Sequence, residues 1–152
     1  MKWNKKDISQ YKEVKEYVDT LILPLLPITL DTNKDAEKFA WQGELIDLFS
    51  AELERNFTGR IFLMPSYQYI NASDREKEIE RINYWVQDAK TNPFQHIFFL
   101  TLDHHWKKYE TNLDGTLLWF PAMASGDPTS KEFQTVIKDQ VNQLSELIRS
   151  YW

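Results

Sequence analysis

Asp103, His104 and His105 are the three consecutive residues of this chain whose side chains could do the most chemistry. A carboxylate and two imidazoles are the donor types that hold zinc, manganese or iron. Ser66, Asp31 and Asp127 also carry groups that could meet His104 or His105, which makes a Ser-His-Asp grouping conceivable. Ser66 follows Pro65, however, and lacks the Gly-x-Ser-x-Gly elbow that exposes a nucleophile. Side chains of neighbouring residues in extended chain point to opposite faces, so His104 and His105 are not expected to share an ion, and no metal is assigned. The third histidine, His96, is separated from His104 by more than about 20 Å of extended chain, at about 3.3 Å per residue.

The run Asp-His-His after a strand is similar to the signature of the DHH phosphoesterases. Those enzymes need several further Asp and His motifs to hold two metals, and only His96 remains here. Phosphate loops are excluded more firmly. Gly43, Gly59, Gly115 and Gly126 are all isolated, so neither a Walker loop nor a dinucleotide fingerprint can be built. No cofactor is expected.

The element that positions Asp103–His105 is the run before them. Ile97 to Leu102 is apolar except for Thr101, with no polar alternation, which is the composition of a strand buried on both faces. Ligand sites of open α/β sheets lie beyond the carboxyl ends of such strands. Around it the spacing predicts helices over 7–17, 35–56, 73–89 and 130–151, each with apolar residues at helical intervals. Asp7 is the expected cap of the first helix, and Ser73 with Glu76 fits a capping box for the third. Short apolar strands are predicted at 20–23, ended by Pro24, at 60–64, ended by Pro65, and at 116–120. Residues 66–70 read as a loop, Asn112–Gly115 as a possible hairpin turn, and Ala122–Thr129 as another loop. Strands alternating with helices predict an α/β fold in one domain, residues 1–152. It is a three-layer sandwich with an open, mainly parallel sheet of four or five strands and helices on both faces.

Composition bounds the partners. The net charge of −5 repels phosphate backbones, so nucleic acid is not an expected partner. With no Cys there are no disulfides, thiolate chemistry or Cys-based clusters. The most apolar run, Val18 to Leu30, is too short to span a bilayer and contains Pro24 and Pro27. No membrane insertion and a cytoplasmic location are expected.

Aromatic residues make up 14% of the chain. Tyr67, Tyr69, Trp106, Tyr109 and Trp119 gather near the predicted strand ends, and Tyr151-Trp152 closes the sequence. Core packing accounts for such residues in general, but aromatics also mark protein interfaces. Tyr67, Tyr69, Trp106 and Trp152 are therefore candidate interface residues.

The opening Met1-Lys2-Trp3, with Asp7, Tyr11 and Lys15 to Thr20 ahead of Ile22-Leu23-Pro24-Leu25, resembles the YpiF family of Gram-positive spore-forming bacteria, a domain of unknown function. The resemblance covers the whole chain and implies no catalytic residue. The order of Leu23-Pro24, a long helix and the 60–64 strand is also similar to the amino-terminal domain of TolB-type proteins, which implies a docking surface. The expected function is a non-enzymatic interaction module, with a protein partner or a second copy. The alternative is a metal-dependent hydrolase or small-molecule-binding domain using Asp103, His104 and His105, with Ser66 at the same edge.

Overall fold

The computed structural model describes residues 1–123 and 125–152. Helix α1 (Lys5–Val14) runs into a 3-10 turn (Lys15–Tyr17), followed by β1 (Thr20–Ile28), α2 (Ala36–Asn56), β2 (Ile61–Leu63), β3 (Tyr67–Ile70) and α3 (Arg75–Ala89). Then come β4 (His96–Thr101), a run of 3-10 turns (His104–Asn112), β5 (Thr116–Trp119) and α4 (Lys131–Arg149). Every strand pairing is parallel, in the order β2-β1-β4-β5, with β3 beside the far half of β1. The fold is the expected α/β sandwich, and β4 is interior, between β1 and β5.

Alternation across the sheet sorts the core into two halves. Ile22, Phe98, Leu100 and Leu118 face α2 and α4, where Leu45, Phe49, Leu53, Ile137 and Ile148 close the layer. Leu21, Leu23, Leu25, Ile97 and Phe99 face the other way, against Ile79, Ile82 and Val86 of α3 and against Trp106. Ile8, Tyr11 and Val14 of α1 pack against that second half. Burying each such side chain stabilises the fold by about 1.5–3 kcal/mol. Gly115 is required where β5 begins, because a Cβ there would lie 2.7 Å from the Ile97 carbonyl oxygen and from the Phe99 ring. Gly59, after α2, takes φ +90°, the left-handed turn that glycine adopts without strain.

Several expectations are corrected. Strand β1 does not end at Pro24 but continues to Ile28. The Thr20 amide and the Ile22 and Ile28 carbonyls all bond to the β2/β3 side, while the Asp19 carbonyl serves Gln95 and His96 on the β4 side. Pro24 therefore directs its missing donor at the break between Leu63 and Tyr67, and Pro27 directs its own past Thr101, where β4 has stopped. Both prolines fit because no ladder bond is demanded of them. Tyr67–Ile70 is a strand and not a loop, paired with Leu25–Ile28. The hairpin at Asn112–Gly115 does not form: the 3-10 turns carry the chain back across the sheet and β5 pairs parallel with β4. Asn4, not Asp7, caps α1, and Asp74, not Ser73, caps α3 by accepting from the Glu76 amide. The predicted 122–129 loop is irregular on either side of Ala124, which itself lies outside the described residues.

Candidate functional site

Asp103 is the second residue past β4 and is buried, at 7% exposure. Its backbone amide bonds to Thr101 Oγ1 at 3.0 Å, which fixes the turn out of the strand. Its carboxylate then accepts four hydrogen bonds. Oδ2 takes the Tyr69 hydroxyl at 2.8 Å and Arg75 Nη2 at 3.2 Å. Oδ1 takes the His105 amide at 3.0 Å and His105 Nδ1 at 2.9 Å. Burial opposes the charge, but the bonds from Tyr69, from the His105 amide and ring and the nearby Arg75 outweigh it and hold the carboxyl below its ordinary value. Burial and the Asp103 charge push the Tyr69 phenol upward, so it stays a donor.

Two aromatic rings floor this network. Trp106 is fully buried, donates Nε1 to the Tyr69 hydroxyl at 2.8 Å, and meets the Tyr69 ring edge-on at 5.3 Å. The Arg75 guanidinium lies 4.5 Å from the Tyr69 centroid and 5.4 Å from that of Trp106, and its Nη1 reaches the Asn71 and Ser73 carbonyls at 3.2 and 3.4 Å. Three elements thus converge on one carboxylate: the end of β3, the start of α3 and the exit of β4. Nearby, the Tyr67 hydroxyl donates to Glu78 at 2.5 Å.

The consequence for His105 is a fixed ring. Its Nδ1–H is committed to Asp103, so Nε2 is the nitrogen left for anything outside. His105 borders a hollow of about 270 Å³ with Asn71, Ser73, Arg75, Lys108 and Tyr109.

The structure corrects several expectations about individual residues. His104 and His105 do not splay apart, because they begin a 3-10 turn instead of extending the strand. Their rings stack at 4.3 Å, and one donor atom each from Asp103, His104 and His105 falls within 4.8 Å of the others. The donor types therefore fit a metal, but both Asp103 oxygens already accept bonds, one from a guanidinium. An ion ligated by Asp103 would have to displace Arg75 or the His105 proton. Ser66 lines a different hollow, with Lys2, Trp3, Pro24 and Asp47. Asp31 pairs with Lys34, and Asp127 accepts from Thr129. None of the three hydrogen-bonds to a histidine, so that Ser-His-Asp grouping is not assembled. Ser73 is the serine that shares a hollow with His105, yet its Oγ is enclosed and has no hydrogen-bond partner.

Of the candidate interface residues, Trp106 and Tyr69 are buried and offer no surface to a partner. Trp152 packs back on the domain: Nε1 donates to Thr20 Oγ1 at 3.0 Å, and its ring meets Phe57 edge-on at 4.8 Å. Sequence reading missed Arg75, Ser73, Asn71 and Lys108. Recognising Tyr67–Ile70 as a strand would have placed 71–75 at the same carboxyl edge as Asp103.

The chain belongs to the family described as Protein of unknown function (DUF2487), which matches residues 9–152. It is 33% identical, over 107 residues, to the Bacillus subtilis protein named Uncharacterized protein YpiF, covering 70% of this chain and 69% of that one. The resemblance to the YpiF family therefore holds. No solved structure matches, and the likeness to TolB-type domains has no support. Among the described residues no helix is long and apolar enough to cross a membrane.

Proposed function

We propose that this chain is a small-molecule-binding domain whose ligand enters the hollow beside His105 at the carboxyl edge of the sheet. The observation that carries the reading is the fourfold-bonded Asp103 carboxylate, which locks Tyr69, Arg75 and His105 together and leaves His105 Nε2 uncommitted. A buried charge network of this kind holds side chains within a narrow geometry, which is what selective binding needs. No reaction is assigned to the site, and a cytoplasmic setting suits a chain without Cys. Screening a library of small polar molecules against isotope-labelled protein by NMR tests it. Shifts confined to residues 71–75 and 103–109 are the expected result. Hits that map elsewhere, or no hits, overturn the reading.

A second reading, contact with another copy of the chain, has one observation in its favour. Trp3 and Trp85 are 62% and 43% exposed at an apolar hollow of about 260 Å³ between α1 and α3. If this face joins two copies, Trp3→Ser with Trp85→Ser converts a dimer to a monomer in light scattering. A parent that is monomeric at high concentration removes the reading.

A further inference from the structure

The lining of the His105 hollow has a chemical bias that the other hollows lack. Asn71, Ser73, Arg75, His105, Lys108 and Tyr109 all carry a donor, and no carboxylate is among them. Each of the four other hollows described has at least one acid in its wall: Asp35, Glu37 and Glu44 in one, and Asp47, Glu52 and Asp88 in the others. The contrast arises on a chain with 23 acidic and only 18 basic residues.

Two further facts point the same way. The Arg75 side chain is nine-tenths buried, with its Nε unpartnered, and the Ser73 Oγ is unpartnered as well. A buried donor without an acceptor costs about 1–3 kcal/mol, and here two such donors belong to residues of one wall. Lys108 is exposed and takes no part in any ion pair or side-chain hydrogen bond among the described residues. Its ammonium is thus uncompensated, whereas Arg75 is neutralised by Asp103.

We infer that the hollow takes an oxyanion, the phosphate or carboxylate group of a small molecule. Lys108 makes the direct charged contact and Asn71 adds a hydrogen bond, with the enclosed and unpartnered Ser73 Oγ behind them. Arg75 acts as a positioning residue, holding the 71–75 turn against Asp103. This deepens the small-molecule reading and rests on it.

The test titrates labelled protein by NMR with inorganic phosphate in one arm, sodium acetate in a second and sodium chloride in a third. Saturable shifts at 71–75 and 105–109 are expected with phosphate or with acetate, and the arm that saturates at the lower concentration identifies the anion. Lys108→Ala and Ser73→Ala each remove a group with no partner in the free protein, so both variants should fold. Lys108→Ala should weaken binding about ten-fold, the effect of losing one charged hydrogen bond. Lys38→Ala, at a hollow with acidic walls, should leave it unchanged. Shifts that grow linearly in all three arms, or Lys108→Ala binding as tightly as the parent, overturn the inference. If neutral molecules of the library bind the hollow while both oxyanions fail, the oxyanion assignment falls and the small-molecule reading stands. If nothing binds there, both fall.

Discussion

The two ends of the sheet are built from the same parts and used differently. At the amino end Asp19 pairs with Arg60, through Nε at 3.0 Å and Nη2 at 2.9 Å, and the guanidinium stacks 3.7 Å from the Trp152 ring centroid. At the carboxyl end Asp103 pairs with Arg75 over Tyr69 and Trp106. Asp19 also takes the Thr20 hydroxyl at 2.7 Å, and Thr20 in turn takes Trp152 Nε1. The amino-end groups thus bond mainly to one another, with Arg60 partly open to water, and the cluster pins Trp152 to the sheet. The carboxyl-end cluster leaves Arg75 Nε, Ser73 Oγ and His105 Nε2 with capacity beside a hollow. An Asp–Arg–Trp combination is therefore no sign of a site by itself. Buried polar atoms left without partners in the wall of a hollow are what separate the two.

The largest effect that tests this contrast is Asp103→Asn. Arg75 and Asp103 are 10% and 7% exposed, so the variant strands a buried guanidinium and should lose about 3 kcal/mol in denaturant unfolding. A loss below that of Asp19→Asn would show that the contrast in burial is not energetic. Tyr69→Phe comes next, at about 1–2 kcal/mol, because it removes the donor to Asp103 and the acceptor for Trp106 together. Asp19→Asn should cost under about 1 kcal/mol, since Arg60 is 40% exposed and its pairing is screened by water.

Acid sharpens the same comparison. Both carboxyls titrate below their ordinary value of 3.8 when folded. At Asp19 burial opposes the lowering, and the bonds from Arg60 and Thr20 with the Arg60 and His96 charges prevail. A depressed carboxylate contributes stability that is fully present above its unfolded value and is lost as pH falls through the lower folded one. The gap in stability between parent and Asp103→Asn should therefore start to narrow near pH 3.8 and close once pH falls below the lower folded value, where the parent carboxyl is protonated in both states. A gap that stays constant down to pH 2 would mean the asparagine is harmful for its shape and not for its charge.

The helices and the central strand were readable from pattern because their burial is one-sided or complete. Phe39, Ile46, Phe49 and Leu53 mark the inner face of α2 at helical spacing, and Ile97–Leu102 has no polar alternation to explain away. Asp103 was legible for a similar reason, as the first acidic group beyond a buried strand. What escaped were features that depend on a neighbour. Pro24 and Pro27 look like strand breakers until the adjacent strands are seen to be missing opposite them. Tyr67–Ile70 is four residues long, and Ile70 at its end is 60% exposed, so the segment carries little signal of its own. Arg75 is one of several charged residues opening α3, and nothing local marks it as the one that turns inward to Asp103.

Strand β1 is nine residues long and is flanked by β2 and β3 on one side and β4 on the other. Its partners lie far along the chain: Ile61 is the first opposite Thr20, and Phe98 faces Ile22. Parallel pairing across such separations is intrinsically slow to form. During synthesis Leu21–Ile28 leaves the ribosome with neither flank covered, and its second flank waits until about position 100 has emerged. During that interval the unpaired edges of β1 are open to aggregation.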